Sequence, residues 1–369
     1  MSRFDDIPLI DNHVHPPLRA EAAAARPFAA FFSEVDDPDL LEMHLPHSRF
    51  FRRALRELAE LLGCDDTTEA VQAARAALGP EKLLRRCIEA GNVTGLVVDD
   101  GYPSPDEALS VAEMAHAGGC AALRVLRLET LVGQLVQEHE QVQSLIDGLW
   151  LALDAAWKFG TVALKSIVAY RCGLAYFRPT PEEAAAGLRA ERERLGEGRV
   201  RLTDPRLLFT TLRAAINWAG ERELPLQIHT GYGDRDLDLA RANPALLRPL
   251  LDEPVTGGCR IVLLHASYPY CRAASYLAAM YRNVYVDFSE ANPMLPAGEL
   301  ARVIEELLAL APATKVLYGS DAWGIPDWIY LGARHGRAAL AAALHGDPDA
   351  EAIARRVLRD NAAQLYGFV

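Results

Sequence analysis

Eight short runs rich in Val, Leu and Ile punctuate this chain, and stretches of helical character separate them. The first runs from Ile7 to Ile10 and leads into Asp11-Asn12-His13-Val14-His15. The others are Val93–Val98, Ala121–Leu128, Val162–Val168, Leu224–Ile228, Ile261–Leu264, Val284–Val286 and Lys315–Tyr318. Alternation of strand and helix predicts a parallel sheet with right-handed crossovers. Eight such units predict an α/β fold of the closed (β/α)8 TIM barrel type rather than an open doubly wound sheet. No G-x-G-x-x-G or P-loop follows any of the runs, which weighs against nucleotide binding.

The intervening stretches have legible ends. Thr180-Pro181-Glu182-Glu183 reads as a capping box with Pro at the first helical position. Asp204-Pro205 opens the helix before the fifth strand, and Gly160 closes the one before the fourth. Pro16-Pro17 stops the first strand, and a strand pattern returns only at Val93. Between them Arg49 to Leu62 has helical periodicity, Asp66-Thr67-Thr68-Glu69 reads as a second capping box, and Pro80 opens a helix ending near Gly91. A helical insertion at about 17–91 is therefore expected just beyond the first strand, placed to form a lid. With 369 residues, no low-complexity linker and no repeat of fixed period, one barrel domain over 1–369 is expected.

The formal net charge of −12 argues against general affinity for nucleic acid or anionic membranes. No segment reaches eighteen uninterrupted apolar residues, and the acidic start carries no signal-peptide pattern. The cysteines at 64, 87, 120, 172, 259 and 271 are scattered without a C-x-x-C pair and read as reduced thiols. A cytoplasmic protein acting on a small-molecule substrate is expected, with no nucleic-acid or membrane partner. A homo-oligomer is expected only on general grounds of symmetry.

Chemistry is written at the strand ends. In a strand, positions i and i+2 share a face, so His13 and His15 project their imidazoles together. Two neutral imidazoles make a natural ligand pair for zinc or a similar divalent ion. The fourth strand places Lys165 among apolar neighbours, the fifth ends at His229, the sixth at His265 and the eighth at Asp321. Each has an ordinary reading when taken alone. A strand-end histidine is more often a hydrogen-bonded core residue, Asp321 can cap the next helix, and Lys165 can snorkel to the surface. Arriving together at one end of a barrel, the six point to a metal site. His44, His47, His116, His139, His335 and His345 fall in helical or loop stretches and read as solvated or structural.

The order H-x-H, Lys, His, His, Asp on strands one, four, five, six and eight resembles the amidohydrolase superfamily of metal-dependent hydrolases. The closing segment Asp360-Asn361-Ala362-Ala363-Gln364-Leu365-Tyr366 resembles the C-terminal signature of its amidohydrolase-2 branch. The runs Leu164-Lys165-Ser166-Ile167-Val168-Ala169-Tyr170-Arg171 and Tyr318-Gly319-Ser320-Asp321-Ala322-Trp323 are similar to a subgroup that includes the amidohydrolase-like domain of the fungal developmental protein FluG.

The resemblance implies that His13, His15 and Asp321 hold one ion and that His229 and His265 hold a second. Lys165 would bridge them as a carbamate, because an ammonium has no lone pair to offer. It further implies attack of metal-activated water on an amide or related C–N or ester bond, with Asp321 as general acid–base. Some members of the branch hold one ion, which leaves His265 as a free acid–base, and some of those are decarboxylases. A mononuclear decarboxylase is thus the alternative reading, and a catalytically silent binding module a third. Arg127, and Tyr170 with Arg171, can receive a substrate carboxylate, for which arginine's planar fork is suited. Structural ion pairs are the competing reading for these arginines. Trp323 either lines the pocket or packs.

Overall fold

The computed structural model describes residues 3–194 and 201–368. One sheet runs in chain order through β1 (Leu9–Val14), β2 (Val93–Asp99), β3 (Ala121–Arg127), β4 (Thr161–Ser166), β5 (Pro225–Ile228), β6 (Arg260–Leu263), β7 (Val284–Asp287) and β8 (Val316–Leu317). The registers of β1 with β2, and of β3 through β7 in succession, are parallel. The first strand also bonds to the segment that follows the last. Asn12 N–H donates to Tyr318 O at 3.1 Å, Asp321 N–H to His13 O at 2.9 Å, and His15 N–H to Ala322 O at 2.7 Å. Chain-order pairing that returns to its start is the topology of a (β/α)8 barrel. Strands of such a barrel are covered on both faces and so read as continuous apolar runs rather than alternating ones. Every residue of β1, β5 and β8 is buried accordingly.

Several boundaries differ from the sequence expectation, for local reasons. β4 stops at Ser166 rather than Val168, because Ser166 Oγ accepts from Val168 N–H at 3.2 Å and turns the chain into the short helix Val168–Arg171. β5 starts at Pro225, since Leu224 N–H still bonds Ala219 O of the preceding helix. The helix Thr68–Leu78 is capped by Thr67, whose hydroxyl accepts from Ala70 N–H. The Asp66-to-Glu69 box is therefore one residue out of phase, and the observed phase buries Val71. The box at Thr180 forms as expected, with Thr180 N–H on Glu183 at 2.8 Å and Glu183 N–H on Thr180 Oγ1 at 3.2 Å.

Packing divides the chain into two compact units. The first comprises Met1–Leu123, Asp287–Ala309 and Ala313–Val369. It contains the insertion, with helices Arg49–Leu62, Thr68–Leu78 and Pro80–Ala90. Phe28, Phe32, Phe50, Phe51 and Trp328 interlock there at ring separations of 5.0–5.9 Å. Arg75 of the insertion makes two 2.9 Å bonds to Asp327, the buried first residue of the helix Asp327–Ala343. A paired, bidentate arginine is the form in which a buried carboxylate is tolerated.

The C-terminal signature also has a physical role. Asn361 Nδ2 donates to Ala313 O and Val316 O at 2.7 and 2.8 Å, and so holds the start of β8. The second unit, Arg124–Val286 with Leu310–Pro312, is built on the helix Pro205–Glu221. Asp204 caps that helix, accepting from Arg206 N–H at 2.9 Å. No helix of the described residues is long and apolar enough to cross a membrane. All six cysteines are free thiols.

Candidate metal centre

In the first unit the ends of β1 and β8 bring His13, His15 and Asp321 together. His13 Nε2 and His15 Nε2 lie 3.2 and 3.4 Å from the same oxygen, Asp321 Oδ1. Asp321 does not cap the next helix, which begins at Asp327 behind Pro326. It stands instead at φ +56°, a left-handed conformation that costs a non-glycine residue about 1–3 kcal/mol and persists where surrounding structure demands it. Its amide is fixed on His13 O and the next amide on Ser320 Oγ at 3.1 Å, so the carboxylate is aimed by backbone bonds.

The protonation of His15 follows from its other nitrogen. Nδ1 is 3.0 Å from the carbonyl oxygen of Asp99, an acceptor only, so Nδ1 carries the hydrogen. In the neutral form, His15 with its hydrogen there presents the Nε2 lone pair to a carboxylate oxygen. Two lone pairs 3.4 Å apart repel unless a cation lies against both. A charge-assisted N–H···O contact would close to about 2.7–2.9 Å. Zinc bonds of about 2.0–2.2 Å place the ligand atoms of a tetrahedral site about 3.3–3.6 Å apart. The observed spacing matches the second case, and the carbonyl on Nδ1 is the usual partner of a ligating imidazole. The donor set fits a divalent ion.

In the second unit His229 and His265 follow β5 and β6, their ring centroids 4.3 Å apart. His229 Nε2 is 3.1 Å from Tyr232 O, which places the hydrogen on Nε2 and the lone pair on Nδ1. His265, Ala266 and Ser267 all have positive φ, between 50° and 67°. Thr230 Oγ1 donates to Leu264 O at 2.7 Å and must therefore accept from Ser267 Oγ, also at 2.7 Å, which locks this strained turn against the end of β5. Tyr170 packs its ring 4.5 Å from His229, and its hydroxyl accepts from Asp234 N–H at 3.1 Å. Only glycine fits at 233, since a Cβ there would stand 2.0 Å from the Tyr170 hydroxyl.

Lys165 does not snorkel. It lies in β4 at 2 % exposure, in register with Arg127 of β3 and Gln227 of β5. Arg171 has no ion-pair or hydrogen-bond partner among the described residues, and its Nε is buried. Burial pulls its pKa below the ordinary arginine value; nearby Glu129 and Asp236 work against this, while Arg201 and Arg127 add to it. Glu129 accepts from Ser166 Oγ at 2.7 Å through one oxygen, and its other oxygen is buried without a hydrogen-bond donor among the described residues. Among the described residues, then, Arg171 makes no ion pair. Trp323 is half-buried, and its indole N–H has no acceptor among the described residues.

Three features escaped the sequence reading. Asp99 orients His15 through its backbone carbonyl, which no side-chain pattern announces. Tyr102 sets its ring edge-on to His15. Glu290, just past β7, is 2 % exposed at φ +57°. A second carboxylate three residues after Asp287, which closes the Val284–Val286 run, was the available signal for Glu290.

A family model described as Amidohydrolase matches residues 171–368. Protein fluG of Emericella nidulans is 31% identical over 374 residues, covering 90% of this chain and 42% of its own length. The present chain thus spans less than half of that relative. A protein of Lactobacillus casei ATCC 334, named as a candidate metal-dependent hydrolase, has a similar structure with TM-score 0.86 and 29% identity over 98% of this chain and 96% of that one. A uronate isomerase of Thermotoga maritima shares the fold at TM-score 0.64 and 13% identity, over 98% and 95% of the two chains.

Proposed function

Because the chain belongs to the amidohydrolase family, we propose that it is a metal-dependent hydrolase of an amide, or of a related C–N or ester bond, in a small carboxylate-bearing substrate. The observation that carries this reading is the convergence of His13 Nε2 and His15 Nε2 on one oxygen, Asp321 Oδ1, at 3.2 and 3.4 Å, while His15 Nδ1 faces the Asp99 carbonyl. His13, His15 and Asp321 would hold one ion, and His229 and His265 a second. Lys165, once converted to a carbamate, would add the oxygen donors that an ammonium lacks. Zinc is the metal that this mixture of imidazole and carboxylate suits best. A bound ion of this kind polarises the substrate carbonyl and makes water acidic near neutral pH.

The chain's own groups do the rest. Asp321 keeps 14 % of its side chain exposed against 9 % for His15 and none for His13, so the carboxylate is the most accessible member of the cluster. It takes the proton of the attacking water and returns it to the leaving nitrogen or oxygen. His265 stands at the end of β6 as a second ligand and, in a one-ion site, as the acid–base in its place. Arg171, whose buried Nε has no acceptor among the described residues, receives the substrate carboxylate, with Arg127 and Tyr170 beside it.

Metal analysis of the purified chain, followed by a panel of N-acyl and γ-glutamyl compounds, tests the proposal. About two ions per chain with release of amine and acid supports it. One ion with release of carbon dioxide replaces it by the decarboxylase reading.

A further inference from the structure

Beside His13, His15 and Asp321 stand three aromatic rings contributed by three separate stretches. Tyr102, beyond β2, meets the His15 ring at 5.7 Å with the planes at 89°. Trp323, beyond β8, lies 6.1 Å from Tyr102 at 41°. Phe31, from the insertion, lies 5.6 Å from Trp323 at 52°. The stack runs from fully buried to open: Phe31 is 2 % exposed, Trp323 is half-buried and Tyr102 is 43 % exposed.

Its placement is built in. Leu18 N–H donates to Gly324 O at 2.9 Å, and Pro17 bridges Gly324, so the loops after β1 and β8 are tied together. Gly324 sits at φ +68°, and a Cβ there would come within 2.8 Å of the Phe31 ring, so glycine is required both by conformation and by the approach of Phe31. An isolated exposed aromatic needs no explanation. Tyr102 is different, because it is the outer member of a continuous stack that ends on a candidate metal ligand. The indole N–H of Trp323, buried without an acceptor among the described residues, marks the same wall as a place where the folded chain leaves a bond unmade.

We infer that Tyr102 and Trp323, backed by Phe31, form an aromatic wall that selects substrates with a flat, unsaturated or aromatic group next to the bond that is cleaved. The inference rests on the metal reading above, since it places that group beside the His13–His15–Asp321 cluster. Ring stacking between such a group and the wall adds to affinity beyond simple burial.

Two metal-chelating probes separate the possibilities: benzohydroxamate and acetohydroxamate share the chelating head and differ in ring against methyl. Calorimetric titration of the zinc-loaded full chain is expected to show benzohydroxamate binding about tenfold tighter. Tyr102→Leu and Trp323→Leu should bring the two affinities within about twofold of each other, while acetohydroxamate binding stays near the wild-type value. Tyr102→Phe, which keeps the ring, should retain the preference. Tyr102 is exposed, so its variants report even if Trp323→Leu folds poorly. Equal binding of both probes to the wild type, or an unchanged ratio in Tyr102→Leu, overturns the aromatic wall while leaving the metal reading intact. Failure of both probes to bind overturns the metal reading, and the wall with it.

Discussion

The hydroxyl of Tyr366, in the last helix, donates to Asn12 Oδ1 at 2.5 Å, one residue before the first candidate ligand. Asn12 in turn donates to Asp287 Oδ2 at 2.7 Å. The C-terminal signature thus reaches the strand that carries His13. Removing the hydroxyl takes this bond from a buried amide oxygen, which costs about 1–3 kcal/mol. Tyr366→Phe should therefore lower stability to urea by that amount with an unchanged denaturant slope. A loss below about 0.5 kcal/mol would show that this link does not hold the strand.

His335 offers a pH test. Its ring is buried, Nε2–H donates to Leu295 O at 2.8 Å, and burial beside Arg53 pulls its pKa down to about 4. The unfolded chain binds this proton near pH 6.5 and the folded chain only near 4, so between them the unfolded state carries more protons. Stability from this group is fully present above about 6.5 and is lost as pH falls toward 4, by about 3 kcal/mol in all. His335→Gln, which keeps an N–H donor, should flatten the stability profile over that window. An identical acid limb in wild type and variant would refute the assignment.

What the sequence made legible were features with a local period. Positions 13 and 15 share a face because strands repeat every two residues, and their nitrogens converge on one carboxylate oxygen as that spacing requires. His229, His265 and Asp321 were visible as polar residues closing apolar runs. The positive φ at His265 and Asp321 was not, because no glycine marks it; tertiary bonds impose it. Tyr102 joins His15 only through folding, and that Arg171 makes no ion pair among the described residues is likewise set by long-range placement. The misplaced cap at Asp66 is a different case: two adjacent hydroxyl- or carboxylate-bearing residues compete for one cap, and burial of Val71 chooses between them.

Arg171 should matter to substrate and little to the fold. Arg171→Ala removes no hydrogen bond or ion pair among the described residues. We expect KM for a carboxylate substrate to rise about 10–100-fold with little change in melting temperature. Arg171→Lys should recover only part of the loss, because a point charge cannot replace a two-pronged contact. Unchanged KM in Arg171→Ala would remove the carboxylate from the proposal.

Lys165 is buried in β4, so its modification can be read spectroscopically. Protein prepared with 13C-bicarbonate should give a carbamate carbon resonance that Lys165→Met lacks, and that variant should retain about one ion fewer per chain. A wild-type spectrum without the resonance would leave Lys165 as a plain amine and withdraw its role as an oxygen donor.

The central claim is that His13, His15 and Asp321 hold a cation, and elemental analysis with equilibrium metal titration tests it most directly. The wild type should retain at least one divalent ion per chain through gel filtration, and Asp321→Asn or His13→Gln should weaken that binding by about 100-fold or more while remaining folded. A folded wild type that takes up no divalent ion, or an Asp321→Asn variant that binds it with wild-type affinity, would contradict the account.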